Sequence, residues 1–474
     1  MLTLADCLEA LTGIRPDDAS QVVTEAVVDS RLVIPGALFV ALPGERVDGH
    51  EYVQDAFTRG ASFALVQKDL STHFPQLDLC LEWTAEDLVA LRDAPFCLRV
   101  EDSLKALQQI ARFWRRKLNI RVIGVTGSVG KSTTKELIAE VLAQRYRTCK
   151  SLGNLNNEIG LPLTMLQVTE AHQRAVFEMG FYVPGEISFL CDIALPEIGV
   201  ITNIGTVHAE RAGSQEAIAS GKAELVQALP AAPEGVAILN YDDLWVRGMA
   251  EKTRARVFYY GLDSQADLWA DGVEGLGLEG IRFRLHYRNE VLHLRVPMIG
   301  RHSVHTALGS AAVGLVDGLT WQEIIDGLSS EYIRFRLVTV RSECGALILD
   351  DSYNASPEST LAALNLLDEL EGRKVVVLGD MLELGPYELR GHELVGNRAA
   401  EVAQLLVTVG IRGRMIATAA SRAGLPNESI SDFESNQQVI EFLLANLKSQ
   451  DCVLIKGSRG MHMDQIVAAL EGRS

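Results

Sequence analysis

The sequence predicts an α/β protein of three domains, and three observations carry that expectation. At 474 residues the chain exceeds what one hydrophobic core organises and suits two to three domains. Apolar, β-branched runs alternate with amphipathic helical patterns along most of its length, as in mainly parallel sheets covered by helices on both faces. The third is Arg121 to Gln144, RVIGVTGSVGKSTTKELIAEVLAQ, which reads as strand, glycine turn and helix.

That stretch is a phosphate-binding loop. The glycines let the backbone wrap an anion, the N–H groups of the helix start face it, Lys131 adds positive charge, and the Ser132 hydroxyl can ligate Mg²⁺. A strict Walker pattern needs a glycine six residues before Lys131, where this chain has Val125; the match is to a shorter form, TGSVGKST. The expected architecture is therefore a small N-terminal α/β domain over 1–100, a central P-loop parallel-sheet domain over 101–317 and a C-terminal Rossmann-like α/β domain over 318–474.

Within 1–100 an amphipathic helix (Leu2, Leu4, Leu8, Leu11) precedes short β-rich runs punctuated by Pro35-Gly36 and Pro43-Gly44, with a further strand in ASFALVQ from Ala61. No nucleophile or metal cluster is visible there, which suits a binding domain. In the central domain a helix (Leu104, Leu107, Ile110, Ala111, Trp114) leads into the phosphate loop, and strands follow in AVFEMG, IGVITNIG and GVAILN. Residues 254–298 read as an antiparallel extension, and a helix from Gly300 closes the domain. The third domain has strands in ALILDD, KVVVLGD, QLLVTVG and DCVLIKG, with helices around Leu361 to Leu370 and Val439 to Leu447. It lacks a G-x-G-x-x-G after its first strand, which argues against a nicotinamide cofactor.

The net charge of −18 argues against nucleic acid as a partner. The basic run Arg112 to Lys117 reads as a solvated helix end. Seven scattered cysteines with no C-x-x-C spacing read as buried or free thiols of a reducing compartment. An acid stands where a signal peptide would carry basic residues, and no apolar run approaches the roughly 20 residues of a membrane span. A soluble, cytoplasmic protein is expected.

Ligands of parallel sheets collect at the carboxyl ends of strands, so the strand-end residues are the ones to weigh. Glu178, ending AVFE, stands where a P-loop enzyme places its Mg²⁺ acid. Asp350 and Asp351 fit the same formal pattern, but Glu178 lies in the sheet of the phosphate loop and is preferred. A lone histidine such as His208 reads as structural on residue type alone, and Lys222 in SGKAELV as a solvated helix lysine. Asn154, Asn156 and Asn157 form either an amide-rich binding loop or a plain turn. DDSYNASPES from Asp350 opens a helix at Ser356-Pro357-Glu358, and KGSRGMH from Lys456 suits a carboxylate or phosphate. No Ser-His-Asp arrangement, zinc site or thiol nucleophile is apparent.

TGSVGKSTTK, GNLNNEIGLPLT, EMG followed by PGEI, Val207-His208, GKAE from Gly221, DDSYNASPES, LGDMLELG and KGSRGMHMD occur in the order and approximate spacing of the Mur ligases. The chain resembles that family over essentially its whole length, and DSR…PGALFVALPGERVDGH resembles its uridine-nucleotide-binding domain. The resemblance implies an ATP- and Mg²⁺-dependent ligase of peptidoglycan precursor synthesis. In it the γ-phosphate passes to the terminal carboxylate of a UDP-N-acetylmuramoyl-tripeptide, and the amine of D-alanyl-D-alanine displaces phosphate from the acyl phosphate. A monomer acting on two small-molecule substrates is expected.

The resemblance also implies site residues. Thr126, Gly127, Ser128, Val129, Gly130, Lys131, Ser132 and Thr133 would cradle ATP, with Lys131 on the β- and γ-phosphates. Ser132 and Glu178 would hold one Mg²⁺, and His208 a second, supported by Lys222, which aligns with a lysine the family carbamylates; this reverses the residue-type reading of both. Arg336 and Asp351 would reach ATP, while Ser30, Arg31, Asn156, Asn157, Asn354, Lys456, Ser458 and Arg459 would face substrate. Two segments depart from the family pattern. Phe181, Tyr182 and Val183 stand where ANH is frequent, and the adenine-side GxHNxxN appears as Gly300, His302, Ser303 and Thr306, leaving His302 as the candidate there. Two rivals differ in class or substrate. A family member adding the third peptide residue is disfavoured because DDSYNASP replaces its DNPR loop, and a P-loop switch or motor would not need residues 1–100.

Overall fold

The computed structural model describes residues 1–44, 47–84, 86, 87, 95–330 and 338–472. Three sheets, each carrying parallel strands, give the expected three-domain α/β architecture. The chain divides into two compact units, one of Met1–Gly124, Tyr146–Gly180 and Glu186–Glu197, the other of Val125–Arg145, Phe181–Gly185 and Ile198–Ser474.

In the first unit, β1 (Ala26–Val27), β2 (Leu38–Val40), β3 (Phe63–Val66), β4 (Gln76–Asp78) and β5 (Phe96–Arg99) form an all-parallel sheet in the order β1-β2-β3-β5-β4. Phe39, Ala64, Val66 and Cys97 fill one face of it. The unit also holds most of β6 (Arg121–Thr126), together with β7 (Thr148–Lys150) and β8 (Arg174–Glu178), which pair in parallel. Asp102 caps the helix Ser103–Lys117, as the pattern from Leu104 predicts. Its basic C-terminal run is only partly solvated. Arg115 is buried, and its guanidinium donates to the carbonyls of Ala194, Leu118, Ile120 and Leu195, tying the end of the helix Glu186–Ala194 to the approach to β6. A planar five-donor group suits several orphan carbonyls at once.

In the second unit, β9 (Ile198–Ile201), β10 (Val236–Asn240), β11 (Arg256–Gly261), β12 (Leu268–Gly275), β13 (Ile281–Tyr287) and β14 (Glu290–Val296) lie side by side in chain order. The antiparallel extension expected over 254–298 is confined to the last two pairings, because β11 runs parallel to β10 and β12 parallel to β11. The remaining sheet, in the order β15-β16-β20-β17-β18-β19, comprises β15 (Val338–Arg341), β16 (Leu347–Asp351), β17 (Arg373–Gly379), β18 (Leu405–Val409), β19 (Ile430–Phe433) and β20 (Asp451–Lys456). Only β15 is antiparallel. Successive residues alternate between its two faces: Leu349, Val376, Leu378 and Leu454 pack on one side, Ile348, Val375, Val377, Val453 and Ile455 on the other. Both faces are dry, which is why these strands read as unbroken apolar runs. Among the described residues no helix is long and apolar enough to cross a membrane, and the seven cysteines are thiols outside any disulfide.

Candidate active site

The phosphate loop begins where β6 ends at the buried Thr126, and the helix Lys131–Ala143 starts directly after Gly130, which has a left-handed φ of 86° and, as glycine, no side chain to cap the helix N-terminus. The N–H groups of the first turn and the helix dipole favour an anion there. The loop is clamped by the segment that follows β9. Thr202 Oγ1 and Asn203 Nδ2 donate to the Val129 carbonyl (2.7 and 3.0 Å), Val129 N–H donates to Asn203 Oδ1 (2.9 Å), and Gly205 N–H donates to Ser128 Oγ (2.8 Å). Lys131 Nζ donates to the carbonyls of Gly127 and Ser128 at 2.8 and 3.3 Å. Thr202 and Asn203 were not singled out from sequence, although their place just after a strand is the signal that finds them.

Gly127 has no room for a side chain. Its φ is 147°, and an added Cβ would fall 1.9 Å from Thr202 Oγ1, inside the clamp. Gly127→Ala is expected to destabilise the protein by about 1–3 kcal/mol and to weaken ATP binding, read by thermal unfolding with and without nucleotide; an alanine variant with unaltered nucleotide affinity would count against the clamp.

Lys222 is buried, with 1% of its surface exposed, in the helix Gln215–Ala228, so it is not the solvated lysine its residue type suggests. Its Nζ donates to the Gly127 carbonyl at 2.9 Å and lies 4.9 Å from the centre of the Phe181 ring. Phe181 packs where Gly221 leaves space, an added Cβ there meeting the ring at 2.0 Å. The departure from the family pattern at Phe181 and Tyr182 thus places aromatic rings against Lys222 and His208.

His208 takes a left-handed φ of 70° immediately before the short helix Ala209–Ala212. Its Nδ1 lies 2.7 Å from Glu383 Oε2, and the Tyr182 ring stands edge-on at 4.9 Å. Burial pushes the imidazole below its ordinary pKa, and the charges of Lys131 and Lys222 push the same way, against the Glu383 contact. Glu358, at the start of the helix Pro357–Glu369, accepts from Thr206 N–H (3.1 Å) and Oγ1 (3.3 Å). Two carboxylates of the third domain therefore grip the segment between the loop clamp and His208.

The other expected residues fall in separate groups. In the first unit, Glu178 is buried, its N–H donates to Ser151 Oγ (3.1 Å), and Asn156 Nδ2 donates to its carboxylate at 2.9 Å. Asn157 Oδ1 accepts from Gly160 N–H at the start of the helix Gly160–Gln167, as in a helix-opening turn. Ser30 is buried, while Arg31 is exposed and paired with Asp29 at 2.6 Å. In the second unit, Lys456 is buried, and its ammonium binds Asp351 (2.5 Å) and the Asn354 carbonyl (2.9 Å). Ser458 Oγ accepts from Leu382 N–H at 2.8 Å, and the exposed Arg459 lies over the Tyr353 ring. His302 is exposed just before the helix Ser303–Val316. Arg336 lies outside the described residues.

Among the described residues no three carboxylate, imidazole or thiol groups converge as a metal cage. Ser132 and His208 in the second unit and Glu178 in the first each carry an oxygen or nitrogen lone pair of the kind a divalent cation accepts, whereas the Lys222 ammonium carries none.

Three family models match the chain in series: the Mur ligase family, catalytic domain, over 23–115, the Mur ligase middle domain over 125–314, and the Mur ligase, glutamate ligase domain, over 334–459. A Bacillus subtilis protein named UDP-N-acetylmuramoyl-tripeptide--D-alanyl-D-alanine ligase is 35% identical over 96% of this chain and 94% of its own length. The chain belongs to the Mur ligase family. Solved structures agree with that assignment. A crystal structure of MurF from Acinetobacter baumannii matches this Mur ligase with a TM-score of 0.82 at 30% identity, covering 99% of this chain and 98% of that one. The MurF ligase from Thermotoga maritima in complex with ADP matches with a TM-score of 0.77 at 26% identity, covering 95% and 98%.

Proposed function

We propose that this Mur ligase joins D-alanyl-D-alanine to UDP-N-acetylmuramoyl-tripeptide, driven by ATP, in cytoplasmic peptidoglycan precursor synthesis, and that it works as a monomer. The observation that carries the reading is the full-length likeness to a Bacillus subtilis relative that bears this activity in its name. Residues 1–100 serve the uridine nucleotide, 101–317 bind ATP, and 318–474 form the third domain.

A carboxylate is a poor acyl donor, and transfer of the γ-phosphate to it supplies a leaving group. The dipeptide amine then attacks the acyl carbon, the C–N bond forms, the C–O bond to phosphate breaks and the amine loses a proton. Little covalent help from protein is needed, so positioning and charge neutralisation dominate. The backbone from Thr126 to Thr133 cradles the phosphates and Lys131 neutralises their charge, a role supported by its place within the clamped loop. Ser132, Glu178 and His208 offer donors to Mg²⁺, which when bound neutralises phosphate charge. Lys222 joins them as a carbamate, formed when its neutral amine adds CO₂ and loses a proton. Asp351 and His302 serve the nucleotide. Ser30 and Arg31 serve the uridine diphosphate, and Asn156, Asn157, Asn354, Lys456, Ser458 and Arg459 serve the substrates, with Lys456 acting by holding Asp351 and Asn354 in place.

ADP release by the purified protein is expected to require both UDP-N-acetylmuramoyl-tripeptide and D-alanyl-D-alanine, and a panel varying the third peptide residue reads its specificity. Turnover with the dipeptide precursor and a free amino acid instead would transfer the assignment to the ligase that adds the third residue. Nucleotide hydrolysis that ignores both substrates and survives deletion of residues 1–100 would indicate a P-loop switch.

A further inference from the structure

We propose that Glu383 is a positioning residue that holds the His208 ring as its Nδ1–H tautomer, leaving the Nε2 lone pair for the reaction site. The inference deepens the proposed function, resting on the reading that His208 contributes a ligand nitrogen. A carboxylate only accepts hydrogen bonds, so a contact of 2.7 Å between Glu383 Oε2 and His208 Nδ1 puts the proton on Nδ1. A neutral ring with that proton has one lone pair left, at Nε2. Ligating histidines are commonly held this way, the outer partner fixing both the heading and the basicity of the ring.

The surroundings keep the ring from turning. Tyr182 stands edge-on to it at 4.9 Å, and the Arg211 guanidinium lies 4.9 Å from the centre of the same Tyr182 ring. His208 and Glu383 both occupy left-handed backbone conformations, with φ of 70° and 64°. Non-glycine residues hold such conformations only where neighbouring structure requires them. Here Glu210 N–H donates to the Glu383 carbonyl at 3.3 Å, joining the two backbones beside the side-chain contact.

Glu383 belongs to the turn after β17, in LGDMLELG, where Leu382 N–H is held by Ser458 Oγ and Leu384 is fully buried. The tautomer of a central-domain histidine is thereby set by a third-domain loop. This gives LGDMLELG and Ser458 a task distinct from direct contact with substrate.

The test uses the full chain labelled with ¹⁵N-histidine, the His208 resonances being assigned by their loss in His208→Ala. Long-range ¹H–¹⁵N spectra are expected to show the Nδ1–H form in the unaltered protein. Glu383→Gln, whose amide oxygen still accepts, should retain it, and Glu383→Ala should move the ring toward the Nε2–H form. Binding of Mn²⁺ with ADP, followed by electron paramagnetic resonance, should weaken about 10- to 100-fold in Glu383→Ala and far less in Glu383→Gln. An Nε2–H signal in the unaltered protein, or a His208 tautomer unmoved in Glu383→Ala, would overturn the proposal. If His208→Ala binds Mn²⁺ as before while Glu383→Ala shifts the tautomer, the ligand reading of His208 fails and the positioning by Glu383 stands.

Discussion

Lys131→Met is expected to lower kcat for substrate-dependent ADP release by about 10²–10³-fold or more, with little change in thermal unfolding. The ammonium is half-buried at the first position of the helix Lys131–Ala143 and is held at the loop by two of the loop's own carbonyls. It therefore adds charge to a cradle whose geometry other residues maintain. Asn203 and Thr202 fix the Val129 peptide, and Gly205 fixes Ser128, without help from Lys131. Removing the charge should leave the loop's shape intact and take away transition-state stabilisation, so kcat falls further than ADP affinity. Unaltered turnover in Lys131→Met would remove the loop from the chemistry.

Lys222→Ala is expected to lose activity to a similar degree and to regain part of it when a short carboxylic acid such as acetate is added. With 1% of its surface exposed and its Nζ against the Gly127 carbonyl, Lys222 is held in one place rather than ranging through solvent. An amine held in that position and carbamylated becomes an anionic oxygen donor, which is the form a hard cation accepts. The truncated variant leaves space beside Phe181 and Gly127 that a small carboxylate can fill. Rescue by carboxylates, absent with chloride, separates a missing carboxylate from simple loss of packing. Full activity in Lys222→Ala would remove the carbamate from the mechanism, and a dead variant with a lowered unfolding temperature and no rescue would leave Lys222 a structural role only.

The strands that the sequence announces and those it conceals differ in burial. β16, β17, β18 and β20 are covered on both faces and read as apolar runs. β15 and β19 lie at the two edges of the same sheet, with no fully buried residue in either, and their sequences VTVR and ISDF carry no such run. An edge strand owes its form to the neighbour it pairs with, so its own residues announce it weakly. The parallel course of β11 was hidden for a related reason. Pairing direction follows from where the short helical crossover Leu244–Arg247 and Gly248–Lys252 returns the chain after β10, which the residues of β11 do not encode.

The candidate site divides along the same line. TGSVGKST, the strand-end acid at Glu178 and the order of the Mur ligase motifs are local in sequence, since each depends on a few adjacent residues in a strand, a turn or a helix start. They determined the phosphate loop, the α/β class and the family. The environment of a side chain is not local. Lys222 is buried because Gly221 admits the Phe181 ring, and Lys456 is spoken for because β16 and β20 run side by side and bring Asp351 to it. His208 has a defined proton position because Glu383 meets it from 175 residues further along the chain. Burial and the pairing of distant polar groups arise only when separate elements pack, and these alone set whether a histidine or lysine is a surface residue or a working part of the site.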